Sequence, residues 1–346
     1  MTFQVLTFLL ALAQHPKRRY PAQIMIDDPL LLNDWHIVAT AQQLAEKPVL
    51  SARLLGEDLV VWQSPHGPRA WQDLCLHRGT RLSLGSLRNG RLACPYHGWE
   101  YGASGRCEHI PAHPEQAPPA KAQAKTYACK EAYGYVWASL GQPLRDIAHF
   151  PEWGDSTCRK VPSGPYSVRA SGPRVVENFL DVSHFPFVHG GYLGVKERPE
   201  ISDYEAQITD EGVVASGVRV YQPNGYGDGK AAEVEYTYKA FRPLTAYLRK
   251  EAPDALLSII LFVTPNDLVE STAWMIMAEN YLGGSPASEL VAFQDIVFGQ
   301  DAPILRSQRP ELLPLDLQAE LHLKSDRTAI AYRKWLGQLG LKIGAA

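Results

Sequence analysis

The feature that most constrains this chain is a pair of short motifs, Cys75-Leu76-His77 and Cys94-Pro95-Tyr96-His97, which sixteen residues separate. Each motif offers one thiolate and one imidazole, and Gly79 follows the first motif as Gly98 follows the second. Glycine tolerates the backbone conformations of tight turns, so each motif suits the tip of a loop. Two such loops side by side would bring four metal-binding donors together.

Donors of this kind suit two types of metal centre. In a Rieske [2Fe–2S] centre, two Cys bind one iron and two His replace Cys on the other, which raises the reduction potential. A zinc site can use the same donors, but it commonly pairs its two His three to five residues apart. Each motif here holds one Cys and one His, which favours the Rieske cluster and leaves zinc as the alternative. The predicted cluster ligands are Cys75, His77, Cys94 and His97.

A second candidate site lies in residues 175–189, where apolar residues recur with the period of a helix. Asn178, Asp181 and His184 follow one another at intervals of three, so a helix would place them along one stripe. His189 lies too far around a regular helix to join His184 at a metal. A proline between the two histidines is expected to break the helix and let the second imidazole turn back.

Two converging histidines and one carboxylate form the facial triad of mononuclear iron(II) oxygenases, which leaves positions open for O2. The carboxylate must come from elsewhere in the chain. Residues 289–301 have the pattern of an amphipathic helix, with Asp301 on the same face as Phe293 and Val297. An acid on an apolar face needs a partner, whereas Asp295 lies off that face and is expected to be solvated. The predicted iron ligands are His184, His189 and Asp301, with Asp295 as the alternative acid.

These motifs make the chain resemble the Rieske non-haem iron oxygenases. Leu76 stands where that family usually has Pro, at a position that binds no metal. An Asp followed shortly by a Gln is a further signature of the family, and Asp301 and Gln308 match it. The resemblance extends from about Trp35 to Gly340. It is strongest to the saxitoxin-pathway hydroxylases and more distant to the methylxanthine N-demethylases.

The resemblance implies a role for Asp181 that differs from metal binding. In the family, the acid three residues before the first iron histidine joins that histidine to the second Rieske histidine of a neighbouring subunit. Asp181 would therefore link His184 to His97 of the next protomer, which implies a homotrimer. Asn178 is either a residue that supports the iron ligands or an ordinary helix residue.

The activity that the resemblance implies is that of an oxygenase component, a monooxygenase that inserts one atom of O2 into a C–H bond. The expected substrate is a small, polar, nitrogen-containing heterocycle, and the expected product is a hydroxylated compound. N- or O-demethylation with release of formaldehyde is the alternative. Because the chain shows no flavin or nicotinamide motif, electrons are expected from a separate NAD(P)H-dependent flavin/iron–sulfur reductase or a ferredoxin. An electron-transfer Rieske protein is a weaker alternative because it needs no second metal site. An iron- or redox-sensing binding protein is another, but it would normally bring a nucleic-acid or partner module, and the sequence shows no basic recognition element.

Length and composition limit the number of domains, the kinds of partner and the cellular location that the chain can be expected to have. The 346 residues suffice for two domains, and the net charge of −3 without a long basic run argues against a nucleic-acid partner. Five Cys without a disulfide framework are typical of a reducing cytosol, so a cytoplasmic location is expected. The apolar run Met1–Ala13 is too short to cross a membrane, and its basic residues follow it, which is the wrong order for a signal peptide. Met25 is an alternative start of the chain.

The predicted fold is α+β. Residues 1–30 are expected to be an N-terminal extension without fixed structure. Short runs of β-forming residues bounded by Gly, Pro, Asn and Asp predict an all-β Rieske domain over residues 31–150. Residues 151–346 are predicted to form a mononuclear iron catalytic domain, in which helices near 175–189, 287–308 and 325–339 flank an antiparallel sheet.

Overall fold

The computed structural model describes residues 25–281 and 285–343. The N-terminal part of this range begins with two short helices, α1 (Pro29–Leu32) and α2 (Ala41–Glu46). Six strands then build an antiparallel sheet: β1 (His36–Thr40), β2 (Val49–Leu54), β3 (Glu57–Ser64), β4 (Gly67–Gln72), β9 (Thr126–Ala132) and β10 (Tyr135–Ser139). Their order is β1-β10-β9-β4-β3-β2.

A smaller antiparallel sheet lies between β4 and β9 in the sequence and carries the second Cys-His motif. Its four strands pair in chain order: β5 (Ser86–Arg88), β6 (Arg91–Ala93), β7 (Glu100–Tyr101) and β8 (Cys107–His109). Beneath the motifs, the Trp62 and Trp71 rings pack edge to face with centroids 4.9 Å apart, and Tyr101 lies 6.5 Å from Trp71. This aromatic core fixes the base from which the two motif loops project.

The C-terminal part contains one seven-stranded antiparallel sheet. Its strands are β11 (Arg159–Val168), β12 (Glu205–Thr209), β13 (Gly212–Gln222), β14 (Ala232–Arg242), β15 (Thr245–Ala252), β16 (Ala255–Asp267) and β17 (Glu270–Glu279). The order is β11-β17-β16-β15-β14-β13-β12. Four helices accompany the sheet: α3 (Gly172–Leu180), α4 (Phe185–Val188), α5 (Ala287–Ser307) and α6 (Arg327–Leu339). The predicted α+β class is confirmed.

The two faces of this sheet have different partners. Trp274 and Phe262 pack against the N-terminal part, where their rings lie 5.6 Å from Tyr135 and 4.8 Å from Trp137. Neighbouring residues in a strand point to opposite faces, and the other face of β16 contributes to a cluster with α3 and α5. One sheet therefore separates the contact with the N-terminal part from the region of the second candidate metal site.

Residues 25–30, which we assign to the N-terminal extension on sequence grounds, are packed into the fold. Ile26 is only 2% exposed, and the buried Asp28 carboxylate accepts the backbone N–H of Lys342 at 2.7 Å. These contacts join the start of the described chain to its end, so the extension cannot include this segment. The rest of the predicted extension, residues 1–24, lies outside the described residues.

Candidate metal centres

The two Cys-His motifs form loops with the same backbone hydrogen bonds. In each loop the Cys N–H donates to the carbonyl five residues on, at 2.8 Å after both Cys75 and Cys94. The glycine four residues on donates back to the Cys carbonyl, at 2.9 Å from Gly79 and 3.0 Å from Gly98. Both glycines have left-handed φ values, 73° and 70°, which a side chain would strain. The glycines thus allow the turns that the sequence predicts.

The thiols lie inside and the histidines lie at the loop tips. Cys75 and Cys94 are 2% and 3% exposed, and the Cys75 sulfur lies 3.3 Å from the Tyr101 hydroxyl. The His77 and His97 rings pack edge to face with centroids 4.5 Å apart. The structure therefore brings all four predicted cluster ligands to one end of the small sheet.

His77 shows that these residues fit a metal cluster. Its ring stacks on Trp99 with centroids 4.5 Å apart and planes 7° from parallel. Its Nδ1 is buried without a hydrogen-bond partner among the described residues. An unpaired buried nitrogen is costly unless something binds it, and a metal would be such a partner. Iron bound to imidazole is the arrangement of a Rieske centre.

The second site starts where α3 ends. The sequence predicts a helix near 175–189 that a proline breaks between the two histidines, but α3 already ends at Leu180, and Asp181 has an extended ψ of 140°. Pro186 does not break a helix but lies in the first turn of α4, where the missing N–H of proline costs nothing. His184 and His189 flank α4 at its two ends. This short helix, and not a kink, brings the imidazoles together.

The predicted iron ligands converge. His184 Nε2 lies 3.1 Å from His189 Nε2, and Asp301 Oδ1 lies 3.5 Å and 3.2 Å from the same two nitrogens. One ligand atom from each of these three residues lies within 4.8 Å of the other two. In residues 25–281 and 285–343 this is the one group of three or more His, Cys, Asp or Glu residues whose ligand atoms lie that close together. The alternative acid, Asp295, is exposed and accepts a hydrogen bond from Tyr166 at 2.7 Å.

The apolar face predicted for residues 289–301 is only partly correct. Asp301 and Val297 are buried, but Phe293 is 41% exposed. Gln294, a polar residue that the pattern did not place on this face, is buried instead. The face turns because α5 packs on both β11 and α3, and the position of those neighbours is not encoded in the helical period.

Each ring nitrogen that points away from the ligand cluster is held by a side chain. Asp181 Oδ2 lies 2.8 Å from His184 Nδ1, and Gln300 Oε1 lies 2.8 Å from His189 Nδ1. Such partners fix the tautomer of a metal-binding histidine and leave its other nitrogen free. Gln300 was missed from the sequence, although its position beside Asp301 could have drawn attention to it.

The same contacts shift the pKa values of His189 and Asp181. Burial lowers the pKa of His189, but hydrogen bonding and charge from Asp301, with Gln300, outweigh burial and raise it above the ordinary value. Burial raises the pKa of Asp181, but the hydrogen bond and charge of His184, with Ser183, lower it overall. The lowered pKa keeps Asp181 negatively charged beside His184, which suits a nearby cation. The Asn178 amide donates to Asp301 Oδ1 at 3.3 Å, so Asn178 supports the predicted ligand.

A mostly apolar pocket opens beside these residues. Its side chains include Phe179 of α3, Phe185 of α4 and Leu193, and the sheet supplies Leu248, Ile259, Leu261 and Met275. These sheet residues were not singled out from the sequence. The opposite face of these strands carries Ile260, Phe262, Trp274 and Ile276, which are core residues packed against the N-terminal part.

Comparison with known proteins now gives the family. Residues 34–128 match the model of the Rieske [2Fe-2S] domain. Residues 168–342 match that of the vanillate O-demethylase oxygenase C-terminal domain. The chain belongs to the Rieske non-haem iron oxygenases. It is therefore an oxidoreductase that uses a Rieske [2Fe–2S] cluster, mononuclear iron and O2, as predicted, and zinc is not the metal of the first site.

Relatives of this Rieske oxygenase are similar along most of their length. Methylxanthine N1-demethylase NdmA of Pseudomonas putida is 32% identical over 333 residues, 92% of each chain. The vanillate O-demethylase oxygenase subunit of a Pseudomonas strain is 28% identical over 89% of this chain and 94% of that protein. A solved structure of NdmA with caffeine gives a TM-score of 0.78 at 30% identity, covering 90% of this chain and 91% of that one.

Two further expectations bear on this Rieske oxygenase. The closer resemblance to saxitoxin-pathway hydroxylases is not tested by these relatives and stays a prediction. No helix within residues 25–281 and 285–343 combines the length and the apolar character needed to span a bilayer.

Proposed function

We propose that this oxygenase removes a methyl group from nitrogen or oxygen of a small polar ring compound, with release of formaldehyde. The observation that carries the proposal is the His184–His189–Asp301 group at the wall of an apolar pocket, in a chain that also has a Rieske domain. Among the relatives, N-demethylases and O-demethylases recur. The probable methylxanthine N7-demethylase NdmC of a Pseudomonas strain, for example, is 37% identical over 63% of this chain and 79% of that protein.

The side chains that converge at the two candidate metal centres are the ones that would hold the cofactors. Cys75, His77, Cys94 and His97 would hold the cluster. His184, His189 and Asp301 would hold the iron. When bound, the two centres supply electrons and activate O2, so that one oxygen atom enters a C–H bond and the other leaves as water. The protein supplies position and solvent control around that chemistry.

The chain's own residues have separable tasks in this proposal. Asp181 and Gln300 keep the histidine tautomers fixed. The apolar pocket walls exclude water and hold the substrate's methyl group near the ligand group. Hydroxylation of an N- or O-methyl group gives a hydroxymethyl compound, whose C–N or C–O bond then breaks to give formaldehyde and the demethylated product. The reaction consumes two electrons and two protons from outside the chain.

Carbon hydroxylation, our first expectation from the sequence, is the second candidate. Flavonoid 8-hydroxylase 2 of Ocimum basilicum is 26% identical over 89% of this chain, although the match covers 65% of that protein. The same site would then give a stable alcohol. Product analysis separates the two candidates, because only demethylation releases formaldehyde.

The supply of electrons and the assembly are also part of the proposal. Oxidoreductase NdmD of Pseudomonas putida is 40% identical over 114 residues, 19% of that protein. We propose a separate oxidoreductase of this kind as the electron donor of a cytoplasmic homotrimer. Asp181 would link His184 to His97 of the neighbouring protomer. Residues 31–150 and 151–346 are the proposed domains.

A single-turnover reaction tests the proposed function. Iron-replete, dithionite-reduced protein is mixed with O2 and N- or O-methylated ring compounds, and formaldehyde and product mass are measured together. We expect formaldehyde in proportion to the demethylated product. A product heavier by one oxygen without formaldehyde would assign hydroxylation. Reoxidation of the cluster without any product from the panel would reject the proposed substrate class.

A further inference from the structure

Lys250 on β15 is a buried cation that has no acidic partner in the described part of the chain. It is 7% exposed, and its Nζ donates to the Gly225 carbonyl at 2.7 Å. Within residues 25–281 and 285–343, Gly225 is its one hydrogen-bond partner, and no carboxylate pairs with it. Buried lysines are rare unless they are paired, and an unpaired buried charge is costly. Packing alone therefore does not explain this residue.

The groups that surround Lys250 do not neutralise it. Its Nζ lies 5.8 Å and 6.0 Å from the ring centroids of Tyr226 and Tyr236. Burial lowers the pKa of Lys250 to about 8, so at neutral pH most of the side chain is still charged. The Tyr236 hydroxyl accepts the Gln222 amide at 3.0 Å, which leaves its own hydrogen able to donate.

The nearest acids on neighbouring positions are engaged elsewhere. Glu251, the next residue on β15, is exposed and pairs with Arg249 at 2.6 Å. Glu279 at the end of β17 is buried and pairs with Arg159 at 2.7 Å. Among the residues that the structure describes, the neighbours of Lys250 thus offer aromatic rings and a backbone carbonyl but no carboxylate that pairs with it.

Lys250 lies on the pocket side of the sheet. Leu248, two residues earlier on the same strand, lines the pocket, and alternate residues of a strand share a face. Tyr236 is the cross-strand neighbour of Lys250. Its ring lies 6.5 Å from Phe185, whose ring lies 5.8 Å from His189. A continuous row of contacts therefore leads from the iron-ligand group to the ammonium.

We propose that Lys250 recognises an acceptor oxygen of the substrate, on the side of the molecule away from the methyl group. The inference rests on the proposed function and names a feature of its substrate: a carboxylate or a ring carbonyl. An ammonium has three N–H donors, and the Gly225 carbonyl uses one. Two donors remain for the substrate, and the centroid of the Tyr236 ring lies 6.0 Å from the ammonium. A negatively charged acceptor would also remove the cost of the unpaired charge.

Binding of three compounds of similar shape tests this inference without turnover. They are 4-methoxybenzoate, 4-methoxybenzamide and 4-methoxytoluene, which carry a carboxylate, a neutral carbonyl and no acceptor. Calorimetric titration of anaerobic holoenzyme gives each Kd. We expect the wild type to bind the best acceptor compound roughly tenfold or more tightly than 4-methoxytoluene, because a hydrogen bond to a charged group discriminates by about that factor. The order of the first two compounds tells carboxylate from carbonyl.

Lys250→Met should abolish this preference while the Kd for 4-methoxytoluene stays within about twofold, and Lys250→Gln serves as a second neutral variant. Lys239→Met is the matched control, because Lys239 lies on β14 but on the opposite face from Tyr236. It should keep the wild-type preference. A wild type that does not distinguish the three compounds, whether it binds all or none, would overturn the inference, as would a preference that survives in both Lys250 variants.

The outcomes separate this inference from the proposed function. Formaldehyde release without any acceptor preference would leave the function intact and reject the role of Lys250. A preference that depends on Lys250, in a protein that yields neither formaldehyde nor a hydroxylated product, would reject the function and keep the acceptor site.

Discussion

At the scale of single residues, hydrogen bonds at the proposed iron site determine which nitrogen of each histidine is free to bind a metal. Each histidine has one nitrogen held by Asp181 or Gln300, and the other nitrogen faces Asp301. A carboxylate between two imidazoles with fixed tautomers is a preformed set of ligands for a divalent ion. The iron therefore depends on a few atoms, and single substitutions should remove it.

Replacement of Asp301 by Ala should lower the iron content by one iron per chain and leave the Rieske absorption and EPR spectra unchanged. The reason is that His184 and His189 alone offer two ligands without negative charge. Asp295→Ala is the matched control, because Asp295 lies on the same helix but is exposed. Metal analysis with the two spectra measures the outcome. Full iron content in the Asp301 variant would contradict the assignment.

At the scale of secondary-structure elements, a buried ion network connects α3 to α6. Arg333 of α6 donates to Glu177 of α3 at 2.8 Å and to Glu320 at 2.6 Å. Arg174 of α3 binds the other oxygen of Glu320 at 2.7 Å. Arg333 is 3% exposed. This network fixes the helix whose last turn leads into the proposed iron ligands. It should therefore contribute more to the free energy of unfolding than a surface ion pair does.

Arg333→Met should lower the free energy of unfolding by about 3 kcal/mol, because it leaves Glu177 buried without its main partner. Arg219→Met is the comparison. Arg219 forms an exposed pair with Glu235 at 2.9 Å, and loss of such a pair costs at most about 1 kcal/mol. Urea titration of the metal-loaded protein gives both values. Equal losses in the two variants would show that the network does not stabilise the fold beyond surface charge.

At the scale of the whole molecule, the two proposed centres lie in different parts of the chain. Asp181 contacts Ser183 and His184 within its own chain, whereas His97 is exposed at its loop tip. If the cluster of one protomer serves the iron of the next, as we propose, then no single chain needs both centres. Mixed assemblies can test this directly.

Cys94→Ser removes a proposed cluster ligand and Asp301→Ala removes a proposed iron ligand, so each variant alone should be inactive. Co-expressed and purified as mixed oligomers through two different tags, they should regain part of the wild-type single-turnover yield. As the control, the two variants are purified separately and then mixed under conditions in which subunits do not exchange. Product formation in this mixture should stay at background. Inactive mixed oligomers, or an active monomer in sedimentation, would argue that each chain works alone.

The sequence by itself was enough to identify the side chains that we propose as metal ligands. The Cys-x-His and Cys-x2-His spacings place their ligands within single loops, and two glycines permit the turns, so local chemistry was enough. His184, His189 and Asp301 were also predicted, but for a reason that was partly wrong. Pro186 lies in the first turn of α4 instead of breaking a long helix, because a proline is tolerated in the first turn of a helix.

Only the tertiary structure decided which residues face the proposed iron site. Asp301 lies far from His189 in the chain, and the packing of α5 against β11 and α3 brings them to 3.2 Å. Strand alternation showed two faces for the large sheet, but not which face meets the N-terminal part and which meets the pocket. That choice depends on the pairing of distant segments, since a shift by one residue exchanges the two faces. Lys250 was invisible for the same reason: its burial beside the pocket belongs to the assembled sheet, not to its neighbours in sequence.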